Sequence, residues 1–152
     1  MQLETVINGD TVSLTCANGE FLYETLRRHG YLGAKQACET SSCGLCTVWL
    51  DGRPVLSCST LTARVGGREI TTIEGLQDEA RAFAEYLVAE GAEQCGFCAP
   101  GFTMTVLAMK RELAEPDEAA INQYLAGNLC RCSGYKGQMR AIKKFMGLDS
   151  CG

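Results

Sequence analysis

Apolar and polar residues alternate through the first half of the chain, which is the pattern of short β-strands joined by turns. Residues 2–15 alternate on both sides of the turn signal Asn8-Gly9-Asp10 and therefore predict a β-hairpin. A short helix is predicted over Phe21 to His29, and Gly30 marks its end. Three further strands are predicted, namely Thr47 to Leu50, Pro54 to Cys58 and Glu69 to Ile73. These elements predict a small sheet with one helix packed across it.

After Gly75 the apolar residues recur every three or four positions, which predicts helices instead of strands. Four apolar stripes follow one another: Ala80, Phe83, Leu87 and Val88; Phe102, Val106, Met109 and Leu113; Ile121, Tyr124 and Leu125; and Met139, Ile142 and Met146. Four short helices predict a small bundle. The change of pattern places a domain boundary near residue 74, with one domain over residues 1–74 and another over residues 75–152. The predicted fold class is α+β.

Composition and charge narrow the class of protein. The chain is 46% hydrophobic and 21% charged, as globular proteins are. Its net charge of −4 argues against a nucleic-acid partner, because phosphate binding needs a basic face. No apolar run reaches the roughly 18 residues of a membrane span, and residues 1–5 lack the basic flank of a secretion signal. The sequence therefore predicts a cytoplasmic protein without a membrane span.

Ten cysteines in a reducing compartment favour metal or redox sites over disulfides. Cys38, Cys43 and Cys46 follow the spacing C-x4-C-x2-C, and Cys58 comes after a gap of eleven residues. This is the plant-type ferredoxin pattern for a [2Fe–2S] cluster. The residues between them are small, so the backbone can fold closely around a cluster and donate N–H groups to its sulfurs. A structural zinc site is the alternative, although the x4 spacing is longer than the common zinc knuckle.

A second quartet consists of Cys95 and Cys98 in a CxxC turn and of Cys130 and Cys132 in a CxC loop. Both pairs lie at or near predicted helix N-termini, where partial positive charge and free N–H groups favour an anionic cluster. These residues alone fit an iron–sulfur cluster and a zinc ion equally well. A dithiol redox motif is disfavoured because no βαβ pattern surrounds the CxxC.

No chemical role is predicted for the remaining cysteines or for the histidine. Cys16 is expected to be a small buried residue, Cys151 to be exposed at the terminus, and His29 to end a helix. The chain has no phosphate loop, dinucleotide-binding motif or Ser–His–Asp order. No catalytic residue is therefore predicted on this chain, and electron transfer is its expected task.

Several longer motifs resemble the small iron–sulfur subunit of the xanthine oxidase family of molybdenum hydroxylases. The matching segments span nearly the whole chain: Gly33-Ala34-Lys35, Cys43-Gly44-Leu45-Cys46-Thr47-Val48, Asp51-Gly52-Arg53-Pro54-Val55, Ser57-Cys58, Gln94-Cys95-Gly96-Phe97-Cys98, Pro100-Gly101, Gly127-Asn128-Leu129-Cys130-Arg131-Cys132 and Gly134-Tyr135. The resemblance implies a plant-ferredoxin-like (β-grasp) domain followed by a four-helix domain. It also implies one [2Fe–2S] cluster on each cysteine quartet.

The resemblance further implies an assembly. A large partner subunit would carry molybdopterin, commonly as the cytosine dinucleotide in bacteria, and a medium partner subunit would carry FAD. Together they would form a heterotrimer or a dimer of heterotrimers. The cluster of the helical domain would lie nearest the pterin, with Gln94 and Cys132 beside that cofactor, and electrons would continue through the N-terminal cluster to FAD. Xanthine or another purine is the first substrate expected, with N-heterocycles, aldehydes and carbon monoxide as alternatives.

Five positions depart from the usual pattern of that family: Ala37, Ser41, Leu45, Ala99 and Ser133. None of them removes a cluster ligand. Ser41 replaces a usual glycine, so its backbone either avoids positive φ or accepts modest strain. Two other functions stay open at this point, namely a free-standing two-cluster ferredoxin and a zinc-stapled interaction module.

Overall fold

The N-terminal half forms a mixed five-stranded sheet in the order β2-β1-β5-β3-β4. In the computed structural model, which describes residues 1–148, the strands are β1 Gln2–Ile7, β2 Asp10–Thr15, β3 Thr47–Leu50, β4 Arg53–Leu56 and β5 Glu69–Thr71. β1 pairs antiparallel with β2 and parallel with β5, while β3 pairs antiparallel with β4 and β5. The predicted hairpin is confirmed, and Asn8 and Gly9 turn it with φ of 54° and 90°.

Helix α1 (Leu22–Arg28) packs Leu22 and Leu26 onto this sheet, in a core that also holds Ile7, Val48 and Ile70. The chain leaves α1 through Gly30, whose φ of 91° is the left-handed conformation that glycine adopts without strain. The predicted strand over Pro54 to Cys58 is too long. It ends at Leu56, because Ser57–Ser59 turns into a 3₁₀ helix.

Four helices make up the rest of the described chain: α2 Gln77–Ala89, α3 Ala99–Glu112, α4 Glu118–Tyr124 and α5 Lys136–Phe145. Phe83, Phe102, Val106, Ile121 and Ile142 form their common core, as the apolar stripes predict. Val88 is an exception, since it lies on the outer side of α2 and is 69% exposed. None of the described helices combines the length and apolar character that a bilayer crossing needs.

The two halves share a further core. Trp49 of β3 is buried against Met104, Leu107 and Ala108 of α3, and its indole N–H donates to the Met104 carbonyl over 2.9 Å. The Arg111 guanidinium lies 4.3 Å from the centre of the Trp49 rings. This packing holds α3 against the sheet and thereby fixes the helical half relative to the loops around the sheet. The α+β class is confirmed, with a ferredoxin-like half followed by helices. The boundary near residue 74 stays a prediction.

Candidate metal centres

The N-terminal quartet lies at one end of the sheet. Cys38, Cys43 and Cys46 occupy the long loop between α1 and β3, and Cys58 lies in the 3₁₀ turn after β4. Ser57 ties that turn to the loop, because its N–H and its hydroxyl both donate to the Cys46 carbonyl, over 3.2 and 2.7 Å. Cys43 and Cys46 are buried, whereas Cys38 and Cys58 are partly exposed. The four residues predicted from spacing are thus assembled by two neighbouring segments.

Burial, backbone N–H groups and neighbouring thiols shift the pKa values of Cys38 and Cys46 in opposite directions. The Cys43 thiol, followed by the backbone N–H of Ser42, lowers the pKa of Cys38 to about 6. Burial raises the pKa of Cys46 to about 11; the backbone N–H of Cys58 opposes this rise, and the Cys58 thiol adds to it. The surroundings therefore favour the thiolate at Cys38 and oppose it at Cys46, which must lose its proton when a metal binds.

The second quartet joins two helix N-termini. Cys95 and Cys98 directly precede α3, with Cys98 at its N-cap, and Cys130 and Cys132 lie in the loop before α5. The Sγ atoms of Cys95 and Cys132 are 3.5 Å apart, and the thiols of Cys98 and Cys130 form the other pair. Cys98 therefore lies at the positive end of the α3 dipole, as predicted, while Cys130 and Cys132 lie in the loop that leads into α5.

The thiols of the second quartet differ in pKa, because burial, hydrogen bonds and neighbouring thiols act on them unequally. Burial raises the pKa of Cys98 to about 12, with a further rise from Cys130. Burial also opposes ionisation of Cys130, but the hydroxyl and N–H of Ser133 donate to it and lower its pKa overall. The Ser133 nitrogen lies 3.4 Å from the Cys130 sulfur. Cys132 and Cys95 are exposed, and the contact with Cys95 raises the pKa of Cys132.

A zinc ion and a [2Fe–2S] cluster make different demands on the positions of four cysteine sulfurs. Four sulfurs around one zinc ion at 2.3 Å must all lie about 3.8 Å from one another. Across residues 1–148, no three His, Cys, Asp or Glu side chains converge in a way that would hold a single ion. A [2Fe–2S] cluster instead needs two thiolates at each of two irons. The Cys95 and Cys132 sulfurs, 3.5 Å apart, are close enough to bind one of these irons together.

Both quartets open onto the same cavity, of about 380 Å³. Six of the eight quartet cysteines line it: Cys38, Cys43, Cys95, Cys98, Cys130 and Cys132. The backbone N–H of Leu129 donates to the Cys43 carbonyl over 2.9 Å, which joins the loop of one quartet to the loop of the other. The two candidate centres are thus neighbours, and this hydrogen bond connects their loops.

Close backbone contacts fix this arrangement. At Gly44, where φ is 73°, an added Cβ would lie 2.5 Å from the Gly127 carbonyl oxygen. At Gly101 in the first turn of α3, an added Cβ would lie 2.4 Å from the Gly44 carbonyl oxygen. Helix α3 therefore rests directly on the ligand loop of the N-terminal quartet, and only glycine permits that distance.

Two residues of the site have backbone conformations that the sequence did not reveal. Tyr135 has φ of 66°, and its hydroxyl accepts a hydrogen bond from the Cys130 N–H over 3.0 Å. Ser41, which the resemblance singled out, accepts the strained alternative with φ of 53°, and its hydroxyl lies 3.5 Å from the Cys58 sulfur. The Ser133-Gly134 pair before Tyr135 signals a turn, but no sequence rule places a tyrosine in the left-handed region.

The other predicted positions can also be located. Gln94 is exposed next to Cys95, on the same surface as Cys132. Cys16 is buried, as expected, and lies outside both quartets. His29 caps α1 and accepts a hydrogen bond from the Thr15 N–H over 3.4 Å, which confirms its position at a helix end. Cys151 lies outside the described residues.

Comparisons with known proteins agree with this geometry. A family model described as "2Fe-2S iron-sulfur cluster binding domain" matches residues 5–72, and one described as "[2Fe-2S] binding domain" matches residues 72–143. The xanthine dehydrogenase iron-sulfur-binding subunit of Escherichia coli O157:H7 is 43% identical over 145 residues, which cover 88% of this chain and 87% of that protein.

Solved structures of two oxidoreductases are also similar to this chain over most of its length. A chain of quinoline 2-oxidoreductase from Pseudomonas putida 86 aligns with a TM-score of 0.86 and 34% identity, over 93% of this chain and 90% of that one. Aldehyde oxidoreductase from Desulfovibrio gigas aligns with a TM-score of 0.86 and 33% identity, over 97% of this chain but 17% of its own. This chain therefore belongs to the family of [2Fe–2S] electron-transfer subunits of xanthine oxidase-type molybdenum hydroxylases.

Proposed function

We propose that this chain transfers electrons between a molybdopterin centre and FAD, each carried by a partner subunit, through two [2Fe–2S] clusters. The observation that carries this proposal is that both cysteine quartets open onto one cavity, which six of the eight cysteines line, with the Cys95 and Cys132 sulfurs 3.5 Å apart. Each cluster, when bound, accepts and returns one electron, and the task of the protein is to hold the two clusters close together.

The thiol pairs suggest which cysteines share an iron. In the N-terminal cluster, Cys38 and Cys43 would hold one iron, and Cys46 and Cys58 the other. In the helical-domain cluster, Cys98 and Cys130 would form one pair, and Cys95 and Cys132 the other. The hydrogen bond from the Leu129 N–H to the Cys43 carbonyl offers a short through-bond connection between the two clusters.

Exposure of the second quartet supports an order for the electron path. Gln94, Cys95 and Cys132 are exposed together, so a partner bound there could bring its pterin close to the helical-domain cluster. Electrons would enter from molybdenum at this surface and continue through the N-terminal cluster to FAD. Partner subunits in a heterotrimer, or in a dimer of heterotrimers, are in keeping with the match to 17% of the aldehyde oxidoreductase chain.

The substrate of the complex belongs to this proposal as well. Xanthine or another purine is the first candidate, because the relative from E. coli is named for xanthine, and an N-heterocycle is the second, because the Pseudomonas structure is named for quinoline. A cytoplasmic location belongs to the proposal too, because the cluster ligands must be reduced thiolates and the cytosol keeps thiols reduced.

Low-temperature EPR of the dithionite-reduced protein tests the proposal, with iron and acid-labile sulfide measured on the same sample. Two distinct S = 1/2 signals with about four irons and four sulfides per chain are expected. Anaerobically purified protein that contains zinc and gives no EPR signal would contradict it. A tagged chain should also retain a molybdenum-containing and a flavin-containing subunit, whereas isolation without partners from its native host would favour a free-standing ferredoxin.

Ser41→Ala is expected to lower the reduction potential of the N-terminal cluster by about 40 mV. The hydroxyl of Ser41 lies 3.5 Å from the Cys58 sulfur, and a donor to a ligand sulfur stabilises the reduced, more negative state. A hydrogen bond that strengthens by about 1 kcal/mol on reduction corresponds to about that shift for one electron. Redox titration followed by EPR measures it.

Ser42→Ala is the control for this prediction, because the Ser42 hydroxyl pairs with that of Thr40 over 2.8 Å and the variant keeps the backbone N–H that acts on Cys38. Its potential should equal that of the wild type. Equal shifts in both variants would mean that the Ser41 hydroxyl has no specific effect on the cluster.

A further inference from the structure

Lys35 places a positive charge at the boundary between the two candidate cluster sites. Its backbone N–H donates to the Leu45 carbonyl over 3.1 Å, inside the loop that carries Cys43 and Cys46. Its side chain crosses to the other half of the molecule, where the ammonium lies 5.1 Å from the centre of the Phe97 ring. Phe97 stands between Cys95 and Cys98 and lines the shared cavity. One residue thus contacts the ligand segments of both quartets.

The charge of Lys35 is not neutralised by the protein. Among residues 1–148, no carboxylate lies within ion-pair distance of its ammonium, whereas Arg28, Arg68, Arg111, Arg140 and Lys143 each have an acidic partner. The side chain is partly buried and its ammonium lies over an aromatic face, so solvent screens it less than an exposed lysine. Arg131, the basic residue between Cys130 and Cys132, is exposed, so solvent screens its charge more than that of Lys35.

We propose that Lys35 tunes the two clusters electrostatically, because its positive charge lies beside the ligand segments of both quartets and raises the reduction potentials of both clusters. This inference rests on the proposed assignment of the eight cysteines as cluster ligands. Reduction adds one electron from the reductant to a cluster and makes its charge more negative by one, without a proton. A nearby cation stabilises the reduced state more than the oxidised state, and net charge is one of the factors that set such potentials. A higher potential at both clusters makes the chain a better electron acceptor for its donor.

The test is a redox titration of Lys35→Met in the holoprotein, with each cluster followed through its own EPR signal. The equilibrium constant for reduction of the helical-domain cluster should fall about tenfold, which is about 59 mV for one electron. The potential of the N-terminal cluster should fall in the same direction. Lys35→Arg keeps the charge and the cation–π contact, and should restore both potentials to the wild-type values.

Lys110→Met is the matched control. Lys110 also holds its ammonium over an aromatic ring, 3.7 Å from the centre of Phe145, but it lies about 18 Å along α3 from Cys98. Its loss should leave both potentials unchanged. If Lys35→Met fails to incorporate iron, Lys35→Gln replaces it, because glutamine retains a polar side chain of similar length without the charge.

Each outcome decides a different point. Unchanged potentials in the neutral variant would overturn the role of Lys35, as would equal decreases in Lys35→Met and Lys35→Arg, which would indicate packing instead of charge. An equal decrease in Lys110→Met would also overturn it, because the effect would then follow net charge and not position. Absence of two [2Fe–2S] signals in the wild-type protein would instead contradict the proposed function itself.

Discussion

Gly101→Ala is expected to lower the midpoint of thermal unfolding by about 6 °C. The new Cβ would lie 2.4 Å from the Gly44 carbonyl oxygen and 2.8 Å from Leu45 Cα, and both are backbone atoms that cannot rotate away. Overpacking of this kind costs about 3 kcal/mol. The higher helix propensity of alanine offsets about 1 kcal/mol, which leaves a net loss of about 2 kcal/mol. A change of this size shifts the midpoint by about 6 °C in a protein of this length.

Circular dichroism during heating measures this shift, and visible absorbance on the same sample follows loss of the clusters. Because α3 would be pushed away from the Cys43–Cys46 loop, the N-terminal cluster should be lost at a lower temperature than in the wild type. Gly127→Ala is the matched control, since an added Cβ there has no neighbour within 4 Å and no positive φ. A midpoint for Gly101→Ala equal to that of Gly127→Ala would mean that the two halves can separate without cost.

The position of Gly101 illustrates what the sequence can and cannot reveal. Pro100-Gly101 is visible as part of a motif, and the start of a helix there follows from the apolar stripe that begins at Phe102. The contact with Gly44 is a distance between segments that are 57 residues apart in the chain (101 − 44). It depends on how the helical half docks on the sheet, which local pattern and spacing do not determine.

The elements themselves were largely predictable, because their periods are local properties. The hairpin, α1 and the four later helices all follow from alternation or helical spacing. The errors have local causes too. Leu56 ends β4 because Ser57 donates twice to the Cys46 carbonyl and turns the chain. Val88 continues an apolar stripe but lies near the C-terminus of α2 with its side chain exposed.

The candidate site, too, was only partly predictable from the sequence. Two quartets of cysteines could be predicted from spacing, because ligands that come from one loop are close in sequence. The pairing of Cys98 with Cys130 could not, since it requires the fold of a loop more than thirty residues further along the chain. Nor could the shared cavity, which exists because Trp49 anchors α3 on the sheet and brings the second quartet beside the first.

Cys98→Ala is expected to abolish one of the two EPR signals and to reduce iron from about four to about two atoms per chain. Cys98 is partly buried at the N-cap of α3, where its thiol pairs with that of Cys130. Alanine leaves one iron with a single protein ligand and supplies no oxygen that could replace the sulfur. The N-terminal signal should persist, because Cys38, Cys43, Cys46 and Cys58 are unchanged.

Cys16→Ala is the control for the loss of a cysteine as such. Cys16 is buried at 3% exposure and outside both quartets, so its removal should cost some stability and leave both signals and all the iron. Cys130→Ala should reproduce the result of Cys98→Ala, because the two thiols form one pair. Loss of both signals in Cys98→Ala, with Cys16→Ala intact, would point to a different arrangement. The two clusters would then not form independently of each other, although their cysteines belong to separate quartets.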